Sequence, residues 1–169
     1  MSKVIEKSVF FPHPPEAVWV ALTDKQALAE WLMPNDFEPR VGHRFRFMVD
    51  PGPGFSGVSE CEVTEADPPR RLVYTWVVVP KDPAKPKPPP MTLTWTLAPE
   101  GRGTRLRLYQ TGAEVLNWWW RFSMNHGWTR MLEKLLPRVL GNVRDGRFTP
   151  GAIRKRDYGT RTVPAGFAK

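Results

Sequence analysis

The chain has 169 residues, of which 41% are hydrophobic and 25% charged, with a formal net charge of +8. This length and composition are those of one globular domain with a sizeable core. No stretch approaches the roughly 18 uncharged apolar residues that span a bilayer, and the N-terminus lacks the apolar region of a signal peptide. Cys61 is the one cysteine, which excludes an intrachain disulfide, and we expect a cytoplasmic protein.

The positive charge is concentrated near the C-terminus. Residues 1–136 contain 17 Lys and Arg against 15 Asp and Glu, whereas residues 137–169 contain 8 against 2. The two parts therefore carry net charges of +2 and +6. We interpret the basic end as a solvated tail, with contact to nucleic acid or anionic lipid as the alternative.

A strand followed by two short helices is predicted at the beginning of the chain. SKVIEKSVFF (residues 2–11) alternates as a strand does, and the prolines that follow stop it. PEAVWVALTD and KQALAEWL then place apolar residues at helical spacing, and Pro34 ends the second helix.

Five further strands are predicted from period-2 alternation and turn residues. They are HRFRFMV, GVSECEVTEA, RLVYTWVVV, MTLTWTL and TRLRLYQ. The connection at residues 80–90, PKDPAKPKPPP, contains six prolines. We interpret it as a stiff solvated loop, with docking to an aromatic-grooved partner as the alternative.

A long amphipathic helix is predicted to follow NWWWRFSMNHGW (residues 117–128). At 100° per residue, one stripe includes Trp128, Leu132, Leu135 and Val139, while Trp119 points the opposite way. Met131, Met124 and Arg121 also fall on this stripe, and Trp118 and Trp120 flank it. Gly127 is interpreted as a point where a neighbouring element approaches, and Pro137 as a kink or end. After Gly141 no periodicity continues, so we predict a domain at 1–141 and a basic tail at 142–169.

The elements in this order indicate an α+β fold, and six segments in register resemble a known family. PPEAVWVALTD with LAEWLMP, FEPRVGHRFRF, EVTEADPPRRLVYTW, TLAPEGRGTRLRLYQTG and HGWTRMLEKL resemble bacterial proteins related to the activator of heat-shock protein 90 ATPase. These proteins belong to the SRPBCC, or START-like, superfamily. The resemblance covers roughly residues 3 to 140. It implies a helix-grip fold, in which a curved antiparallel sheet of about six strands grips the C-terminal helix around a largely apolar cavity.

The superfamily includes lipid and steroid carriers, polyketide cyclases and co-chaperones, so the fold leaves function open. The eukaryotic co-chaperone carries a separate N-terminal domain that this sequence lacks, which argues against heat-shock protein 90 as the partner. Docking to that chaperone and homodimerisation, both suggested by an outward Trp119, are kept as alternatives.

Residues for covalent or metal chemistry are sparse in the sequence. His13, His43 and His126 lack ligand spacing, so no metal or other cofactor is expected. Cys61 stands between Glu60 and Glu62, which favours an inert thiol. A cyclase or hydrolase that uses the Glu60 and Glu62 carboxylates is the enzymatic alternative.

The aromatic residues carry the leading hypothesis, a non-enzymatic domain that binds a hydrophobic small molecule. Arg121 on the helix stripe would meet an acidic end of such a ligand, since an unpaired buried guanidinium is costly. The same aromatic residues would equally make a solid core. Nucleic acid is disfavoured because the basic charge lies in the tail. The predicted cavity residues are Trp31, Phe45, Phe47, Tyr74, Trp76, Trp95, Trp120, Arg121, Met124 and Trp128.

Overall fold

A six-stranded antiparallel sheet, with helices packed on one of its faces, forms the structure, a computed structural model that describes residues 4–153 and 162–168. The spatial order of the strands is β1-β6-β5-β4-β3-β2. All six predicted strands and both early helices are present, which confirms the predicted α+β helix-grip layout. Their bounds are β1 Ile5–Phe11, α1 Pro15–Thr23, α2 Lys25–Trp31, β2 Arg44–Met48, β3 Phe55–Asp67, β4 Arg71–Pro80, β5 Met91–Glu100 and β6 Gly103–Thr111.

The alternation in the sequence decides which face of the sheet is buried. In β5, Met91, Leu93, Trp95 and Leu97 are buried, whereas the threonines between them are half-buried. Side chains on neighbouring strands point the same way at paired positions, so these residues share one inner face with those of β4 and β6. The helices cover this face, and the core lies between the two layers.

The two early helices begin where the sequence supplies a suitable first residue. Pro15 opens α1, where the missing N–H would have no intrahelical partner. Asp24 caps α2, since its Oδ1 accepts hydrogen bonds from the Gln26 and Ala27 amides at 2.9 and 3.0 Å. Both helices pack against the last turns of the C-terminal helix.

The C-terminal helix is continuous from residue 118 to 140, with one π turn inside it. It consists of α3 Trp118–Arg130, the π segment Met131–Leu135 and α4 Leu136–Leu140. The Leu136 amide donates to the Met131 carbonyl, five residues back, just before Pro137. The helix therefore does not end at Pro137, because the π turn before it accommodates the residue that lacks an N–H.

The segment after Gly141 packs on the domain instead of only trailing from it. Val143–Arg144 (β7) and Arg147–Phe148 (β8) form a short hairpin beside α1, and Phe148 is buried. The Gly151 and Ile153 amides donate to the Glu30 carboxylate. Ala168 pairs with Asn35. The sequence after Gly141 lacks periodicity because its elements are short and are held by single contacts. The division of the chain into a domain at 1–141 and a tail at 142–169 stays a prediction.

Candidate functional site

Seven of the ten predicted cavity residues form one network of touching rings between the sheet and the helices. Each is at most 5% exposed. Trp95 lies at the centre, 5.5 Å from Trp128 and 6.1 Å from Trp31 between ring centroids. Trp76 continues the network, 6.4 Å from Trp128 and 4.8 Å from Phe47. The full set is Trp31, Phe45, Phe47, Tyr74, Trp76, Trp95 and Trp128. The sequence left open whether these residues form a solid core or line a cavity. In the structure these seven rings pack against one another.

The other three predicted residues lie towards the beginning of α3, where the helix is less buried. Trp120, Met124 and Trp128 are spaced by four residues and share a helix face. Trp128 is 2% exposed and Met124 is half-buried, while Trp120 is 41% exposed. The Trp120 ring lies 6.4 Å from that of Phe55 at the start of β3. Side-chain burial therefore decreases along this face of α3 from Trp128 to Trp120. We refer to the region between this face and the sheet as the cleft.

Gln110 is a buried polar residue of the cleft that the sequence analysis missed. Its side chain is on the inner face of β6 and is 1% exposed. Its Oε1 accepts a hydrogen bond from Trp128 Nε1 at 2.8 Å, and its Nε2 lies 3.1 Å from Met124 Sδ and 3.3 Å from Met91 Sδ. In TRLRLYQ, Gln110 stands where the alternation predicts an inward leucine. A polar residue at an inward position is the signal that could have identified it.

The buried indoles differ in whether their N–H groups have acceptors. Trp31 Nε1 donates to the Ala21 carbonyl at 2.8 Å, and Trp95 Nε1 donates to Tyr74 Oη at 3.1 Å. Trp76 Nε1, by contrast, is buried and has no hydrogen-bond partner among residues 4–153 and 162–168. Leaving a buried donor unsatisfied costs about 1–3 kcal/mol. Such an exception calls for an explanation.

Arg121 lies on α3 beside Trp120, and its side chain is half-buried. The ion pairs formed within residues 4–153 and 162–168 do not include its guanidinium. Asn117 caps α3, with its Oδ1 accepting from the Trp120 amide at 2.9 Å. Among the described residues, the Arg121 guanidinium thus has no ion pair.

The carboxylates considered for catalysis are on the other side of the sheet. Glu60 pairs with Lys87 at 2.7 Å, and Glu62 pairs with Arg44 at 3.3 Å. Glu60 borders a depression of about 390 Å³ along β2 and β3, whose lining includes four charged side chains. Because these carboxylates do not face the cleft, they give no support to the cyclase or hydrolase alternative.

Two ionisable groups on the inner face are held neutral by their surroundings. Burial raises the pKa of the Cys61 thiol well above its ordinary value, and the charges of Asp36 and Glu60 raise it further. Burial also raises the pKa of the Tyr74 phenol. Neither group is activated as a nucleophile or base at neutral pH.

Within residues 4–153 and 162–168, no three His, Cys, Asp or Glu side chains come together to hold a metal ion. Within the same residues, no helix combines the length and the apolarity needed to cross a bilayer.

Comparison with known proteins gives a family match and structural relatives. Residues 12–140 match the family described as activator of Hsp90 ATPase homolog 1-like protein. The Mesorhizobium loti protein MLL2253 has a similar crystal structure, with 35% identity and a TM-score of 0.69, over 83% of this chain and 98% of that one. The Chromobacterium violaceum protein CV1439 is 27% identical with a TM-score of 0.63, over the same two shares. No curated protein matches the chain.

Proposed function

Because the chain belongs to the family of activator of Hsp90 ATPase homolog 1-like proteins, we propose that it binds a hydrophobic small molecule in the cleft. Domains of this superfamily typically provide a ligand-binding cavity between the sheet and the C-terminal helix. The ligand of this chain would lie against Trp76, Met124 and Trp128 and enter past Trp120. Its body would be lipid-like or aromatic, to match the side chains that surround it.

The unpartnered N–H of Trp76 is the observation that carries this proposal. An indole without an acceptor lowers the stability of the free protein, and a ligand oxygen that accepts this hydrogen bond would recover the loss. We therefore infer that the ligand carries a carbonyl, carboxyl or hydroxyl oxygen on its apolar body. Arg121, beside Trp120, supports an acidic group on the same ligand.

A pair of indole variants tests the role of Trp76. Trp76→Phe removes the unpartnered donor and keeps an aromatic ring, so we expect unchanged or higher stability and weaker ligand binding. Trp95→Phe is the matched control, because it removes a satisfied donor and leaves Tyr74 Oη without its partner. Palmitate, naringenin and anilinonaphthalene sulfonate are suitable probes, followed by tryptophan fluorescence and melting temperature.

The expected size of the ligand effect follows from linkage. A ligand at about 100 times its dissociation constant stabilises the native state by about 2.7 kcal/mol. If none of the three probes raises the melting temperature at such concentrations, the proposed function fails. If a probe binds equally well to wild type and Trp76→Phe, the hydrogen bond to this indole is wrong.

Arg121 is tested with a ligand whose charge can be removed. Arg121→Leu is expected to weaken palmitate about fivefold, the value of a partly exposed ion pair, and to leave methyl palmitate unchanged. Arg130→Leu removes an exposed cation from the same helix and serves as the control. Equal effects of the two substitutions on palmitate would contradict a direct contact.

A further inference from the structure

Three large aromatic side chains form an exposed patch on the outer side of α3. Trp118 is 72% exposed, Trp119 54% and Phe122 65%. Each residue of an α-helix is rotated by 100° about the helix axis from the one before it. The three side chains therefore point about 80° to 180° away from the direction of Trp128, within an arc of about 100°. We call Trp118, Trp119 and Phe122 the aromatic patch. Soluble monomers rarely leave such a contiguous apolar surface uncovered, so it marks a contact surface.

Cations lie on the side of α3 that carries the aromatic patch. Arg130 falls within about 20° of Trp119 around the helix, whereas Arg121 lies on the side of the cleft, and the sequence between Glu114 and Glu133 contains no carboxylate. Lys7 adds another cation to this side of the helix, since its Nζ donates to Thr129 Oγ1 at 2.8 Å. The whole chain carries +8. A surface that combines indoles with cations is complementary to an anionic partner and would repel a second copy of itself.

We propose that the aromatic patch inserts into the surface of an anionic lipid bilayer. Tryptophan prefers the headgroup level, where its ring is apolar and its N–H remains hydrated. The surrounding cations would contact lipid headgroups. This surface is turned by about 80° to 180° from the helix face that borders the cleft, and membrane binding does not require a ligand.

Sedimentation with lipid vesicles tests the proposal on the full chain. Vesicles of phosphatidylcholine and phosphatidylserine in equal amounts should bind the protein, and vesicles of phosphatidylcholine alone should bind it less. Raising the salt concentration should reduce the difference between the two. With brominated acyl chains, the fluorescence of the exposed indoles should be quenched on binding, a readout that needs no variant.

The triple variant Trp118→Ser, Trp119→Ser, Phe122→Ser removes the aromatic patch. Serine has nearly the helix propensity of these residues, so the helix is retained, and circular dichroism checks this. Binding to the anionic vesicles should fall about tenfold or more, given the apolar area removed. The control Val41→Ser, Tyr109→Ser removes exposed apolar residues elsewhere and should bind as wild type does.

Several results would overturn the membrane proposal. These are no sedimentation with anionic vesicles, equal binding of the triple variant and wild type, or bound protein without bromine quenching. Self-association that the triple variant abolishes, without vesicle binding, would assign the patch to a dimer. Binding of single-stranded DNA in place of vesicles would assign it to nucleic acid.

Discussion

Trp128 and Trp119 are nine residues apart on one helix, yet their surroundings differ completely. Trp128 is 2% exposed, touches Trp76 and Trp95, and donates to Gln110. Trp119 is 54% exposed and contacts the neighbouring Trp120 ring. The same residue type thus serves the core in one case and the surface in the other.

Alanine substitution of the two tryptophans should give unequal losses of stability. Trp128→Ala creates a core cavity and leaves Gln110 Oε1 without its donor, so we expect a loss of about 3–5 kcal/mol. Trp119→Ala should change the free energy of unfolding by no more than about 0.5 kcal/mol. Urea denaturation measures both. Similar losses in the two variants would contradict the orientation of α3.

The buried thiol of Cys61 makes the free energy of unfolding depend on pH. Its pKa in the folded state is raised, whereas in the unfolded chain it is about 8.5. Below about pH 8.5 the thiol is neutral in both states, and its contribution to stability is fully present. Above that value the unfolded chain ionises first, so the contribution is lost as the pH rises through the folded pKa.

Between about pH 8 and pH 10, wild type should therefore lose up to about 2 kcal/mol more stability than Cys61→Ala. Urea denaturation at the two pH values gives the comparison. A parallel decline of both proteins would show that another group is responsible. Iodoacetamide should label Cys61 slowly in the native protein and rapidly in urea.

At the scale of elements, the π turn in the C-terminal helix changes which of its residues face the core. A uniform helix would turn Leu140 about 120° away from Trp128. The structure instead buries Leu136 and Leu140 together with Leu132, Leu135 and Val139. The π turn at Met131–Leu135 shifts the phase, so that the last turns present a wider apolar surface to α1 and α2.

Gly127 gives a prediction for α3, and here the interpretation of the sequence was wrong. Among the described residues, an added Cβ at this glycine would meet only Met131 Cε, at 3.7 Å, so none of their elements approaches it closely. This is an ordinary contact distance. Gly127→Ala should therefore stabilise the protein by about 1 kcal/mol through helix propensity. A thermal melt measures the change, and destabilisation would reveal a close contact at this position.

At the scale of the whole molecule, the C-terminal segment stabilises the domain through a few anchors. Phe148 and Val163 are buried, and Glu30 and Asp50 accept hydrogen bonds from backbone groups of this segment. These anchors join β8 and the residues near the end of the chain to helix α2 and to the loop before β3.

Phe148→Ala tests whether this attachment contributes to global stability. Truncation of a buried phenylalanine should cost about 3 kcal/mol, which corresponds to about 6–12 °C in the melting temperature of a chain of this size. Thr149→Ala, at the exposed neighbouring position, is the control and should melt close to wild type. A loss below about 0.5 kcal/mol for Phe148→Ala would mean that the segment detaches before the domain unfolds.

The sequence by itself determined the strands, the early helices and the inward phase of most aromatic residues. These features depend on spacing along the chain, since alternation and helical periodicity are properties of neighbouring residues. Leu93 and Trp95 could be assigned to one face without knowing what covers it. The resemblance of six segments to a known family added their arrangement in space.

Only the tertiary structure decided which polar groups are satisfied and how burial varies along α3. Gln110 meets Trp128 from 18 positions away, and Trp76 Nε1 meets no acceptor in the part of the chain that the structure describes. Periodicity gives the direction of a side chain but not the identity or distance of a group on another element. The phase shift at the π turn and the burial of Phe148 arise in the same way. Each depends on contacts between distant parts of the chain, which form only when the layers pack.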